Sequence, residues 1–370
     1  MELIDKLLFG GTIFIVIIFI LIFICFYNIS NNFSLDYTIG FSCFMIGIVF
    51  FIISTSFIKT LDIGFIYLTT IQLSALVIPS VIGLYISNPK FNILSCFKGL
   101  ALYIGIADFI YYLLSGISYI LLPLSISIPI FFLWPIMRRL IGIFDGEHQG
   151  IHISTTIVLF VGICCFIYSG LSDLKNNNIY HTIIGLICGL IGMIGITVRW
   201  YTTPILFNKK EYFTNKVKNK QDKYNQHKKG YKEIIYNSFL AETYANFLPF
   251  ICFLFLSICL YLTPTNILNK LKKLGIPNKI INTKTNITFT QILITFGIFI
   301  LFSLGAQIGY TVGALTLSYD IYTALAYTSI IVSGIIGFIR LNESVDTPKK
   351  IGYFIILFGI IFSLYNYLQE

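Results

Sequence analysis

Few residues in this chain could do acid–base or metal chemistry, and the densest group of them is FDGEHQGIH, residues 144–152. His148 and His152 stand four apart beside Glu147, a spacing that on one helical face offers two imidazoles and a carboxylate to a zinc ion. Gly146 and Gly150 interrupt such a helix, the order is not H-E-x-x-H, and only His181 and His227 remain elsewhere. A polar hinge is therefore the better reading, and no metal site and no cofactor are expected. The 8 cysteines lie in or beside apolar runs without a C-x-x-C pair, which makes them packing residues.

Two acids have a different setting. Asp108 in YIGIADFIYY and Glu242 in SFLAETYANFLPF lie inside apolar runs. Charge is costly in a bilayer and marks a solute or ion pathway by default. Tyr111 and Tyr112 follow Asp108 by three and four residues, and Asn246 follows Glu242 by four, so each acid has polar company on its own helical face. Asp320 in LSYDIYT sits at a helix junction and reads as a solvated cap. Arg199 and Lys98 lie towards the ends of their runs, where long side chains reach the interface. With no cation placed centrally, the pathway suits a neutral or cationic solute better than a nucleotide sugar or sugar phosphate.

The elements that must hold these residues follow from hydropathy. Hydrophobic residues make up 56% of the 370 residues and charged ones 11%, with a mean hydropathy of +0.85. That composition excludes a soluble protein and predicts an all-α, polytopic, integral membrane protein of the plasma membrane or an organelle, its partner the lipid bilayer. Apolar runs long enough to cross fall at 7–27, 38–58, 62–87, 92–114, 115–137, 152–169, 181–206, 238–262, 289–311, 313–338 and 351–367. The first reads as an uncleaved anchor rather than a signal peptide, because it is long and no small-x-small site follows. The net charge of +9 is concentrated in the lysine-rich 208–237. Lysines interleaved with tyrosines could contact nucleic acid, but a cytoplasmic loop obeying the positive-inside rule is the simpler reading, and no nucleic-acid partner is expected. Segment 263–288 then faces the opposite side.

An internal repeat organises the runs. Residues 105–169 and 304–366 share A-[DQ]-x-x-Y, a second apolar helix, a short polar connection with a glutamate, and a last helix carrying FVGI or LFGI. Ala107, Asp108 and Tyr111 match Ala306, Gln307 and Tyr310; Glu147 matches Glu343; Gly162 matches Gly359. Each half then holds five helices, and an odd number inverts the second half relative to the first. The division is 1–37 (anchor and connection), 38–170 (first repeat) and 171–370 (second repeat).

Five plus five helices, a glutamate-bearing connection before each final helix and a glycine within it resemble the drug/metabolite transporter superfamily, particularly its EamA-like members. IADFIYYLLSGISYILLPLSISIPIFF is also similar to the third and fourth helices of the chloroquine-resistance-transporter-like branch. The resemblance implies a secondary transporter that moves a small metabolite by alternating access, open to proton coupling, and not an enzyme. Expected pathway residues are Asp108, Tyr111, Gln307, Tyr310, Glu242 and Asn246, with Asp108 and Tyr111 facing Gln307 and Tyr310 across one central cavity. In this reading Asp108 selects a cation or accepts a proton, and Gln307 adds uncharged hydrogen bonds. The rival readings are a membrane enzyme of lipid-linked transfer, which lacks an acid- or histidine-bearing lumenal loop here, and a nucleotide-sugar carrier.

Overall fold

The structure, a computed structural model, describes residues 35–144, 153–173, 179–206, 231–273, 276–281, 288–317, 319–343 and 346–369. The candidate anchor 7–27, the stretch 145–152 with Glu147, His148 and His152, and the lysine-rich 207–230 lie outside the described residues.

Every described element is a helix. In chain order these are α1 (Leu35–Thr60), α2 (Phe65–Ser87), a 3-10 turn (Ile93–Phe97), α3 (Gly99–Leu121), α4 (Leu124–Phe131), α5 (Trp134–Phe144), α6 (Ile153–Asp173), α7 (Ile179–Leu206), α8 (Tyr231–Leu262), the short α9 (Thr265–Lys273) and α10 (Asn278–Ile281), α11 (Phe289–Phe299), a π turn (Ile300–Leu304), α12 (Gly305–Thr316), α13 (Tyr319–Ala326), α14 (Thr328–Leu341) and α15 (Thr347–Gln369). Among the described residues, 7 helical stretches are long and apolar enough to cross a membrane, and Leu124–Arg138 is a shorter apolar helix. The chain is an integral membrane protein in this sense.

Two expected boundaries move. The break expected near 114 falls at Leu122–Pro123, because the ring of Pro123 forces Leu122 out of the helical region to φ −114°, ψ 154°. The break expected near 312 is also absent: α11, the π turn and α12 run on to Thr316.

Small residues set the packing. With lipid on the outside there is little hydrophobic drive between helices, and close backbone approach supplies the contact. Along α7, Gly185 rests on Leu122, Gly189 on Ser118, Gly192 on Ser115 and Gly195 on Ala107, so α7 runs antiparallel to α3. Along α1, Gly40 rests on Thr316 and Gly47 on Ala306 and Gly309, so α1 runs antiparallel to α12. The two crossings share a local geometry. A Cβ on Gly195 would stand 2.6 Å from the carbonyl oxygen of Ala107 and 3.1 Å from the amide nitrogen of Tyr111; on Gly47 it would stand 3.0 Å from that of Ala306 and 3.2 Å from that of Tyr310. Neither position has room for a side chain without moving backbone.

The remaining long helices pair likewise. Gly83 of α2 meets Phe239 of α8, and Thr70 shares a hydrogen bond of 2.7 Å with Ser257. Gly162 of α6 meets Ile356 of α15, and Gly359 meets Leu159. The ends of α7 and the start of α8 thus lie on one face, where Asn88 and Ser95 reach Tyr236 and Tyr244 of α8. Thr60, Phe65, Leu121 and Leu124 lie on the opposite face, where Lys59 Nζ donates to the carbonyl of Leu122 at 2.5 Å.

Candidate functional site

Four helices bring their polar residues to one buried point. Arg199 of α7 and Asp108 of α3 are the hub, with 2% and 0% of their side chains exposed. The crossing at Gly195 makes this possible: one turn further along α7, Arg199 arrives beside Asp108, the neighbour of Ala107. Arg199 Nη1 donates to Asp108 Oδ2 at 2.8 Å. Its Nη2 lies 3.0 Å from both oxygens of Glu242 on α8 and 3.0 Å from Gln307 Oε1 on α12.

The second layer of hydrogen bonds favours one acid over the other. Glu242 Oε1 also accepts from Thr311 at 2.8 Å, and Oε2 accepts from Asn246 Nδ2 at 3.0 Å. Tyr112 donates to Asn246 Oδ1 at 2.9 Å, and Gln307 Nε2 reaches the Tyr112 oxygen at 3.4 Å. Asp108 Oδ1 is buried with no hydrogen-bond partner among the described residues. A charge that is paired and hydrogen-bonded tolerates burial, and one that is not is costly.

Beside this ionic cluster lies an uncharged polar cleft. Ser54 of α1 and Ser303 in the π turn share a hydrogen bond of 2.5 Å. Gln72 of α2 donates to both, at 3.3 Å and 3.1 Å. The π turn widens the helix by one residue and aims Ser303 inward, the usual consequence of such a turn at a working site. The cleft is narrow, with a volume of about 20 Å³, and Thr69, Tyr111, Tyr112, Ser115 and Gln307 add further hydroxyl and amide groups to its wall. The buried Thr69 Oγ1 and Gln72 Oε1 have no partner among the described residues. A second small void, of about 30 Å³, adjoins it through Phe51, Tyr111 and Gln307 and is walled by Trp134, Trp200 and Tyr310.

The expected pathway residues therefore occur in two places. Asp108, Glu242, Asn246 and Gln307 meet in the ionic cluster. Tyr111 lines both voids, and Tyr310 lines the second, with its hydroxyl 3.3 Å from Ser329. Arg199 is the correction. Its position near the end of α7 suggested a side chain reaching for the interface, yet it is buried at the hub. The signal available in the sequence was charge balance, since two acids inside apolar runs call for a cation. The side chain of Asp320 is outside the described residues.

The glutamate of the second matched connection has a structural task. Glu343 accepts from the backbone N–H groups of Leu124 at 2.6 Å and Ser125 at 2.9 Å. These are orphan donors at the start of α4, and a carboxylate there also complements the helix dipole. The α14–α15 connection is thereby tied to the α3–α4 break. Among the described residues, no group of three or more His, Cys, Asp or Glu could hold a metal ion.

No family model matches this chain, and no curated protein matches it either. A solved structure described only as a crystal structure of a protein superposes on it with a TM-score of 0.58, covering 88% of this chain and 97% of that one at 10% identity. That likeness establishes a shared fold and carries no function with it.

Proposed function

We propose that this protein is a secondary transporter for a small neutral or cationic polar solute, working by alternating access between two inverted five-helix repeats. The architecture is the one implied by the resemblance to the drug/metabolite transporter superfamily. Its support is the way helix partners exchange when the halves are swapped. With α4–α5 and α13–α14 each counted as one broken crossing, the pair α3·α7 maps onto α12·α1, while α2·α8 and α6·α15 map onto themselves. The Gly195 and Gly47 contacts repeat that correspondence atom by atom. The segment 208–237 is assigned to the cytoplasmic face.

The observation that carries the functional reading is the juxtaposition of cleft and cluster where the repeats cross. The cleft has room for about one water in this arrangement, and once the helices part, its hydroxyls and amides can replace the water around a polar solute. The cluster of Arg199, Asp108 and Glu242 ties α3, α7 and α8 together on the side of α7 where 208–237 begins, so it serves as the closed half of an alternating-access cycle. Solute class follows from charge. Arg199 faces two carboxylates, which leaves no surplus positive charge for a phosphate and argues against a nucleotide-sugar carrier. An enzyme of lipid-linked transfer would need an acid or histidine at the wall of the cleft, and its lining has neither, Asp108 and Glu242 being fully buried behind it.

Counterflow into liposomes loaded with unlabelled solute tests this reading. Labelled polyols, amino acids, tetraalkylammonium ions and a nucleotide sugar form the panel. Uptake of a neutral or cationic member, without uptake of the nucleotide sugar, is the expected result. Uptake of the nucleotide sugar alone, or turnover of a lipid-linked donor in detergent without any uptake, overturns it.

A further inference from the structure

We propose that the buried triad is a proton-binding site holding one exchangeable proton, and that the proton resides on Oδ1 of Asp108. The charge count comes first: one guanidinium and two carboxylates, all buried, sum to one surplus negative charge. Surplus charge in a low-dielectric interior is removed by binding a proton or a cation.

Hydrogen bonding then selects the atom. Both Glu242 oxygens accept twice, from Arg199 and Thr311 on one and from Arg199 and Asn246 on the other. Asp108 accepts once, on Oδ2, and its Oδ1 is fully buried with no hydrogen-bond partner among the described residues. The charged groups acting on Asp108 are Arg199 from α7 and Glu242 from α8, and its own helix adds the phenols of Tyr111 and Tyr112. From α12 the cluster receives the uncharged Gln307, which accepts from Arg199. A cation would need several oxygens around it, whereas a proton needs the one that Asp108 leaves open.

Protonation forms one O–H bond on Oδ1 and breaks one in the hydronium ion that delivers the proton, leaving water. The triad becomes neutral, Glu242 keeps Arg199, and the ionic tie between α3 and α7 loses its charge while the tie between α7 and α8 remains. The half of the molecule closed by the triad is then released only in the protonated form, which links solute movement to protons. This consequence rests on the transporter reading; the proton site itself does not.

The chain supplies its own reporter. It has 2 tryptophans, Trp134 and Trp200, with ring centroids 6.1 Å apart, and Arg199 Cζ lies 5.0 Å from the Trp200 ring. Tryptophan emission of the full chain in detergent, titrated with pH at fixed ionic strength, is expected to follow a one-proton transition. Asp108→Asn and Glu242→Gln should each abolish it, because either leaves a neutral ion pair. In infrared difference spectra across the transition, the carboxylic-acid C=O band should shift in Asp108→Glu and stay in place in Glu242→Asp. That arm uses acids throughout and remains decisive even if an amide variant fails to fold. A band that follows residue 242 overturns the assignment, and so does emission that responds to sodium or potassium at constant pH. A proton transition in a protein that moves no solute would sink the transporter reading and leave the site standing.

Discussion

The crossings of α7 over α3 and of α1 over α12 use the same backbone contacts and do different things with them. Gly195 sits on Ala107 and Tyr111, and Gly47 sits on Ala306 and Tyr310. One turn on, α7 presents Arg199 and α1 presents Phe51. The partner position is an acid at Asp108 and an amide at Gln307. On the first side the polar groups collapse onto an ion cluster tying three helices together; on the second an aromatic ring stands beside a narrow cleft walled by hydroxyls and amides. Backbone geometry thus sets where the two sites fall, and one side chain in each decides whether the site is an ion cluster or an uncharged polar cleft.

The comparison breaks most severely at Arg199. Arg199→Met leaves two carboxylates buried without their cation and should cost about 3–5 kcal/mol of stability, seen as loss of the monodisperse folded protein in size-exclusion chromatography. Adding Asp108→Asn and Glu242→Gln should restore most of that, since the amides need no countercharge. A triple variant as unstable as the single one would mean that Arg199 acts through packing instead.

The glycines test whether the crossings are equivalent. Gly195→Ala places a methyl 2.6 Å from a backbone oxygen, against 3.0 Å for Gly47→Ala. Overpacking of roughly 1–3 kcal/mol is expected for Gly195→Ala and less for Gly47→Ala, read from thermal unfolding. The reverse order would show that the α1–α12 crossing is the more rigid of the two.

The smallest structural effect belongs to the cleft. Gln72→Met removes two hydrogen bonds to serines that keep each other, so stability should change by about 1 kcal/mol or less. Under the proposed function solute KM in the counterflow assay should rise nonetheless, because Gln72 Oε1 has no partner among the described residues. An unchanged KM would move the binding site to the void beneath Trp200.

Much of this was legible in one dimension. Hydropathy and the reach of a helix across about 30 Å of hydrocarbon identify an all-α membrane protein. The isolated acids at 108 and 242 stand out for the same reason, since apolar runs rarely tolerate them. The match of Ala107, Asp108 and Tyr111 to Ala306, Gln307 and Tyr310 was also readable, and these positions do lie at the two crossings. Helix limits were less so, because a run of apolar residues does not reveal where Pro123 breaks it or that a π turn carries α11 through to Thr316.

What only the tertiary structure decided is which distant residues meet. A sequence measures how far Arg199 is from the end of its helix; depth in the molecule depends on the crossing at Gly195, which draws α7 against α3 and turns the guanidinium inward instead of towards water. The target of Glu343 is equally invisible along the chain, since it caps a helix whose first residue lies 219 positions away. Composition and periodicity act locally and so fix the membrane, the helices and the acids. Pairing of charges across three helices is set by close approach between small residues far apart in the chain, and it is that pairing which decides what the acids can do.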